Sequence, residues 1–369
     1  MQEEETGLRL SGNIWRGVVK MLSKQMYSDE YIYALQKRTG NDPSLLEKVI
    51  YAFGLLEAIR AADLPFCFKG GTSLMLLLDF PKRISTDIDI VVRPGIDIIQ
   101  YIHKAGKIFP FLDVTEDIRM GKNNIEKRHF KFNYKSPISG RVVVILLDVL
   151  IDEIPYKYVI EKPILNDFLL TEGESLTVTV PTVDEILGEK LTAFAPHTTG
   201  IPFGISKELE IIKQLFDCAT LFNVMTDFSA VKASFNRSVQ TEIGYRGISL
   251  SSKEVLNDTI TACLCIASRG NPKGDYAYYR DGISRIRNHI LGGKFSGEIA
   301  GCFASKVFYL TVSILTNQEK MKSIANDSSC HGMKSEIEKP KRFNYLKIVD
   351  PNAYGYLVEG MKLLQTAQS

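Results

Sequence analysis

Residues 66–92 read FCFKGGTSLMLLLDFPKRISTDIDIVV, and the reading of this stretch decides the fold. A short apolar run (66–68) leads into Gly70-Gly71, a helix-like segment follows over 72–78, and the run 86–92 closes the stretch. In that last run Asp87 and Asp89 alternate with Ile88 and Ile90. A strand sends alternate side chains to opposite faces. The two aspartates are therefore expected on one face and the two isoleucines in the core. Carboxylates this close repel, and burying them unpaired costs on the order of several kcal/mol. A divalent cation removes that cost. Mg²⁺ takes oxygen ligands and is commonly held by one or two carboxylates together with substrate phosphates.

The Gly-Gly turn supplies the other half of the expected site. Glycine lets the backbone turn sharply and approach a ligand closely. With Thr72 and Ser73 opening the helix, free N–H groups and hydroxyls would face whatever lies over the turn, a favourable place for phosphate. Gly70, Gly71, Thr72 and Ser73 are thus the expected phosphate cradle. An isolated Asp-x-Asp is often a solvated strand end, and an isolated Gly-Gly says less. The specific signal is the combination of strand, Gly-Gly-Thr-Ser, helix and Arg-x-Ser-x-Asp-x-Asp within one short span.

Gly70-Gly71-Thr72-Ser73-Leu74 followed by Arg83-Ile84-Ser85-Thr86-Asp87-Ile88-Asp89 resembles the nucleotidyl transferase toxins of the AbiEii/AbiGii group, in the DNA polymerase β-like nucleotidyltransferase superfamily. The resemblance covers residues 45–225. It implies an α+β fold, a nucleotidyltransferase-like mixed β-sheet flanked by helices. It also implies a nucleoside triphosphate substrate and two Mg²⁺ ions, or Mn²⁺ in their place. A place in a toxin–antitoxin or phage-defence (abortive-infection) operon, with a cognate antitoxin as partner, goes with it.

Outward from this stretch, 369 residues suit two domains with ample core. A 45% apolar and 24% charged composition is that of an ordinary soluble chain. The net charge of +2 provides no global field for nucleic acid, so any such binding must use a local patch. No run of about 18 apolar residues argues for a membrane span, and the acidic start MQEEETGLRL is unlike a secretory signal. A cytoplasmic location is expected. Of the cysteines at 67, 218, 263, 265, 302 and 330, all but the last lie in apolar runs, which reads as buried thiols in a reducing compartment. Cys330-His331 is only an adjacent pair and no zinc site is expected.

Three regions are expected: a helical extension over 1–40, the nucleotidyltransferase domain over 41–225 and a helical bundle domain over 226–369. The extension reads as two short helices, WRGVVKMLSKQM (15–26) and SDEYIYALQKR (28–38). Asp42-Pro43 starts a helix over 44–62 with apolar residues at helical spacing. A helix over 97–108 precedes two strands, 128–134 and 141–150, joined by a Ser-Pro-Ile-Ser-Gly hairpin loop. The stretch GKNNIEKRHFKFNYK (121–135), which runs into the first strand, gathers Lys122, Lys127, Arg128, Lys131 and Lys135 with Phe130, Phe132 and Tyr134. That pattern suits nucleic-acid binding, but a solvated basic face over an apolar inner face explains it slightly better. The second strand, RVVVILLDVL, is apolar except for Asp148. A charge there is costly unless something pairs with it, so Asp148 is read as a third metal ligand with Asp87 and Asp89. Asp152 and Glu153, at the strand end, compete for that place. The superfamily pattern also has an aspartate on a neighbouring strand.

After a strand over 176–180, Pro181-Thr182 opens the helix VDEILGEKLTAFA. On residue type alone Lys190 is an exposed helix lysine. The resemblance instead points its ammonium at the triphosphate, where it would steady leaving pyrophosphate. The loop PHTTGIPFGIS and the helix KELEIIKQLFDCATLF (207–222) follow. Lys213 and Asp217, four apart, share a face and would form a surface pair worth a few tenths of a kcal/mol. Lys213-Gln214-Leu215-Phe216-Asp217 also resembles the family's last motif. Asp217 would then orient Lys190 or Lys213, or assist the acceptor hydroxyl. Arg83 is expected to contact phosphate or else to be a solvated loop arginine. Ser85 is either a triphosphate contact, a modified hydroxyl or a strand-entry serine. Beyond residue 226 helices are expected over 253–268, 276–291, 295–317 and 351–365, with a polar loop over 326–341 and no chemistry of their own.

The function expected is Mg²⁺-dependent transfer of a nucleoside monophosphate from an NTP to an RNA, such as a tRNA 3′ end, or to a protein hydroxyl, by a toxin. Asp87, Asp89, Asp148, Lys190 and Asp217 would carry catalysis. Arg83, Ser85, Lys190 and Lys213 would join the Gly-Gly turn on the nucleotide. Two alternatives stand beside this: a glycosyltransferase using Asp-x-Asp, against which the Gly-Gly turn argues, and a nucleotide-binding sensor or scaffold that does not turn over.

Overall fold

The computed structural model describes residues 21–118, 126–270, 274–322 and 340–368. Strand β1 (Met21–Leu22), helices α1 (Asp29–Thr39) and α2 (Pro43–Ala61), strand β2 (Cys67–Lys69), helix α3 (Gly70–Leu77), strand β3 (Ile88–Val92) and helix α4 (Ile98–Ala105) come first. Strands β4 (Phe111–Glu116), β5 (Glu126–Lys135), β6 (Val142–Ile151), β7 (Val159–Pro163), β8 (Thr171–Glu172) and β9 (Thr177–Pro181) follow. The rest is helical: α5 (Val183–Ala193), α6 (Glu208–Phe222), α7 (Phe228–Arg246), α8 (Ser252–Ala267), α9 (Tyr276–Ile286), α10 (Gly297–Leu315), α11 (Leu346–Val349) and α12 (Pro351–Gln368).

The main sheet has the order β4-β5-β6-β3-β2-β9-β7 and is mixed, as expected: β3 runs parallel to β6 and β2 parallel to β9, and the other neighbours are antiparallel. Its core side carries Ile88, Ile90, Leu147, Val149, Phe130 and Phe132, all buried. Helix α2 lies in the same core cluster. Pro43 opens α2 after Asp42, whose side chain accepts from the Ser44 N–H. This helix is apolar nearly all round, which suits a helix enclosed by protein. Its two buried carboxylates are matched: Glu47 accepts from the Tyr134 and Ser136 hydroxyls, and Glu57 from the Leu22 N–H.

Several expectations are corrected. The helix expected over 15–26 lies partly outside the described residues. From Met21 on, the chain is strand β1, paired with β8, and then a 3₁₀ turn at Lys24–Tyr27. Cys330-His331 and most of the 326–341 loop also lie outside the described residues. Strands β4 and β7 and helix α7 were not foreseen. The helix expected over 276–291 stops at Ile286 and becomes a 3₁₀ turn at Arg287–His289, because Ile290 then pairs as a β-bridge with Arg83. By length and composition α10 is apolar enough to cross a membrane. Seventy-two per cent of its apolar window is nevertheless buried inside the protein, where it is the centre of a helical bundle with α6, α8 and α12.

Candidate active site

The register of the sheet builds the site. Lys69 on β2 is the partner of Asp89 on β3, Asp89 of Asp148 on β6, and Asp148 of His129 on β5. Register partners point to the same face, and neighbouring strands lie about 4.8 Å apart. Four strands thus present a row of ammonium, carboxylate, carboxylate and imidazole. His129 Nδ1 lies 2.6 Å from Asp148 Oδ1. Lys69 Nζ is 2.5 Å from Glu189 Oε1 on α5, and the Tyr156 hydroxyl donates to the other Glu189 oxygen at 2.8 Å. The row, Tyr156 and Tyr245 of α7 line a cavity of about 250 Å³.

Asp148 is therefore the expected partner of Asp89, and its rivals are engaged elsewhere. Asp152 accepts from the Tyr245 hydroxyl, and Glu153 is an exposed surface group near Arg93. Asp87 stands one residue before β3 rather than in it, and is exposed. It still feels Asp148: burial of its surroundings and the Asp148 charge push the Asp87 carboxyl up, and Lys213 works against them. Asp89 is pushed up to about 7, by burial first and then by Asp148, with Lys69 opposing. Among the described residues no three His, Cys, Asp or Glu side chains are drawn together at metal-ligating spacing. The row explains why. Without a counter-charge the carboxylates repel, and Asp148 is held toward His129.

The donor set nevertheless fits a hard divalent cation. Asp87, Asp89 and Asp148 offer oxygen ligands only, and Asp89 is short of positive charge by enough to hold a proton near neutrality.

Gly70 has φ +80°, and a Cβ there would overlap the Asp89 carboxylate. Glycine is required twice, for the conformation and for the approach. At Gly71 a Cβ would sit 2.5 Å from Arg83 Nη2 and 2.8 Å from Ser85 Oγ, so Ser85 does flank the turn. Thr72 and Ser73 depart from expectation. Both are fully buried; the Thr72 hydroxyl donates to the Asp87 carbonyl at 2.6 Å and the Ser73 hydroxyl to the Gly70 carbonyl at 2.9 Å. Their side chains shape the turn and the aspartate loop rather than facing a ligand. No side chain caps the start of α3, which leaves its first N–H groups for an anion.

Arg83 is not a solvated loop arginine. It is buried, with Nε and Nη2 on the two oxygens of Asp217 at 2.6 and 2.7 Å and Nη1 on its own Ile84 carbonyl at 3.1 Å. Lys190, also buried, adds its ammonium to Asp217 Oδ2 at 2.8 Å. Of the two lysines offered as partners for Asp217, it is Lys190 that it contacts, with Arg83 added, and not Lys213. Its burial works to raise its pKa, but Arg83 and then Lys190 hold it below the usual carboxylate range. The surface pair expected between Lys213 and Asp217 does not form. Lys213 is half-buried, lies 3.5 Å from Glu210, and is held down by burial and by Arg83.

The basic-aromatic strand resolves as the solvated-face reading has it. Phe130, Phe132 and Tyr134 are buried, Arg128 grips Glu116 through two 2.7 Å bonds and Lys131 lies 3.2 Å from Asp117. Sequence reasoning missed Lys69, His129, Glu189 and Tyr156. Only Lys69, adjoining Gly70, carried a local signal.

A comparison with protein-family models matches residues 55–264 to the nucleotidyl transferase AbiEii toxin, type IV toxin–antitoxin system. The chain belongs to that family. It is accordingly a nucleotidyltransferase, and the glycosyltransferase and non-catalytic alternatives fall away. No curated protein matches. Among solved structures, the crystal structure of JHP933 from Helicobacter pylori is 13% identical with TM-score 0.40, covering 81% of this chain and 95% of that one. A second solved structure from H. pylori is 14% identical with TM-score 0.41, covering 73% of this chain and 95% of that one.

Proposed function

We propose that this family member is the toxin of a toxin–antitoxin pair and acts in the cytoplasm, moving a nucleoside monophosphate from an NTP to a hydroxyl of RNA, a tRNA 3′ end in the first instance. The observation that carries the reading is the pairing of Asp89 with Asp148 in register on parallel strands, directly against the Gly70 turn. The acceptor oxygen would bond to the α-phosphorus as the bond to the β-phosphate oxygen breaks, releasing pyrophosphate and the hydroxyl proton. Asp87, Asp89 and Asp148 would hold Mg²⁺ or Mn²⁺, which when bound supplies charge stabilisation at the attacking and leaving oxygens. The Gly70-Gly71 turn and the start of α3 would receive phosphate through backbone N–H groups, with Ser85 beside them. Lys190, locked by Asp217, and Lys213 would offset the triphosphate charge. Arg83 is a positioning residue that fixes the loop between α3 and β3.

The catalytic part would comprise 41–225 and the helical part 226–369, with 1–40 as an extension. The test is incubation with each of four labelled NTPs, Mg²⁺, total RNA and total protein. Label is expected on RNA and is expected to vanish with Asp89→Asn. Label on protein instead would move the acceptor to a protein hydroxyl. Label on neither, with every nucleotide tried, would refute the transfer reading.

A further inference from the structure

The helical region was expected to contribute no chemistry, yet one face of it closes the cavity over the carboxylate row. Ser238, Thr241, Glu242 and Tyr245 of α7 line that cavity together with Asp89 and Asp148. Their spacing of i, i+3, i+4 and i+7 makes a single stripe along the helix. The stripe is held in place. Arg237 pairs with Glu185 of α5 and donates to the Pro155 carbonyl at 3.3 Å, and the Tyr245 hydroxyl donates to Asp152, just beyond β6. With its hydroxyl committed to Asp152, what Tyr245 adds to the cavity is ring surface. Among the described residues the Ser238 and Thr241 hydroxyls, by contrast, have no hydrogen-bond partner. Each can both donate and accept. Glu242 is paired with Arg246 at 3.3 Å, and Lys69 across the cavity with Glu189. The α7 wall therefore presents no unpaired cation to a phosphate and suits a flat, uncharged group with hydrogen-bonding edges.

We propose that this stripe is the acceptor-recognition wall. The cavity takes the terminal nucleoside of the RNA acceptor, with its base against the Tyr245 ring and its polar edges on the Ser238 and Thr241 hydroxyls. The inference rests on the nucleotidyl-transfer reading and adds the side from which the acceptor enters. Pyrophosphate is displaced in line, so the attacking oxygen stands opposite the leaving one. Gly70, Gly71, Lys190 and Lys213, assigned above to the triphosphate, do not line this cavity, whereas Asp89 lines it and also abuts Gly70. The acceptor hydroxyl accordingly approaches from the cavity side, past Asp148. A serine or threonine of a protein acceptor would bring no ring to Tyr245, and base–aromatic stacking is the larger source of affinity on such a wall.

The test is steady-state transfer of label from NTP to total RNA by the whole chain with Mg²⁺, the two substrates being varied separately. Tyr245→Ala is expected to raise the apparent KM for RNA about tenfold, the loss of one base–aromatic stack. Thr241→Val and Ser238→Ala are each expected to raise it about fivefold, the loss of one hydrogen bond. The KM for NTP is expected to be indifferent to all three. Tyr245→Phe, which keeps the ring, is expected to recover most of the RNA affinity, and Thr241→Ser, which keeps the hydroxyl, to do the same at its position. An unmoved KM for RNA in Tyr245→Ala would overturn the assignment. So would a Tyr245→Phe as impaired as Tyr245→Ala, or a KM for NTP that rises in place of that for RNA, which would put the donor's nucleoside in the cavity. Wild type that labels protein and not RNA would overturn it while leaving the transfer reading intact. Wild type that labels neither takes the transfer reading down as well.

Discussion

Two charged clusters meet at the Gly-Gly turn, and they are built in opposite ways. The Arg83–Asp217–Lys190 knot joins a loop and two helices into a buried unit in which one carboxylate is shared by two cations. The Asp89–Asp148 row joins strands by register alone and leaves negative charge in excess, so that Asp89 holds a proton to about pH 7. A closed cluster holds a fold together, whereas an open one is incomplete until something binds. The difference teaches which residues should be read as architecture and which as chemistry, even though both sets consist of charged groups in one small region.

The largest effect expected from this contrast is on activity. Asp89→Asn should lower transfer at least about a hundredfold, the scale of losing one group that stabilises charge in a transition state, while the folded protein survives. Asp217→Asn should do the reverse in emphasis. It leaves Arg83 and Lys190 buried without their anion and should cost about 3–5 kcal/mol of stability, read by denaturant unfolding. If Asp217→Asn unfolds no more easily than wild type, the knot is not architecture.

The row also predicts a pH dependence. Asp89 holds its proton to about 7 in the folded chain, against an ordinary value of 3.8. The folded state then binds more protons in that window, so this carboxylate's contribution to stability falls as pH rises from about 4 to about 7. Glu57, pushed up to about 7 by burial, acts in the same sense, and the neutral His289 acts in the opposite one. The comparison must therefore be between wild type and Asp89→Asn. In chelator-treated protein the advantage of the asparagine variant in Tm should grow from pH 5 to pH 8 and shrink when Mg²⁺ is added. A pH-independent difference would contradict the open-row account.

The smallest stability effect is expected at Lys213→Ala. Its pairing with Glu210 is a half-exposed i,i+3 contact, so stability should move by no more than about 0.5 kcal/mol. Affinity for triphosphate should fall, and a nucleoside without phosphates should be indifferent to the change.

What was legible in the sequence follows from this division. Asp89 was legible because alternation with isoleucine has period two, and Asp148 because a lone charge in an apolar strand needs a reason. Gly70 and Gly71 were legible because few residues tolerate such an approach. The knot was legible only in part: the Asp217–Lys190 pairing was one of the options the family resemblance offered, but Arg83 and Asp217 lie 134 positions apart and no local pattern joins them. The row's outer members, Lys69 and His129, required a register across four strands that no local pattern carries. Thr72 and Ser73 were misread because a hydroxyl at a helix start serves a ligand or a carbonyl equally well. Helix α7 went unnoticed because its sequence, FSAVKASFNRSVQTEIGYR, offers few apolar repeats. It is placed by packing on α5, where a Cβ on Gly188 would lie 2.6 Å from α7 backbone atoms.

The most direct test of the central claim is the electron paramagnetic resonance of Mn²⁺ titrated into wild type, Asp89→Asn and Asp148→Asn, each with a non-hydrolysable triphosphate. The account predicts protein-bound Mn²⁺ in wild type, with markedly weaker binding in both variants. Equal binding by all three chains would show that the two register-paired carboxylates are not where the cation sits.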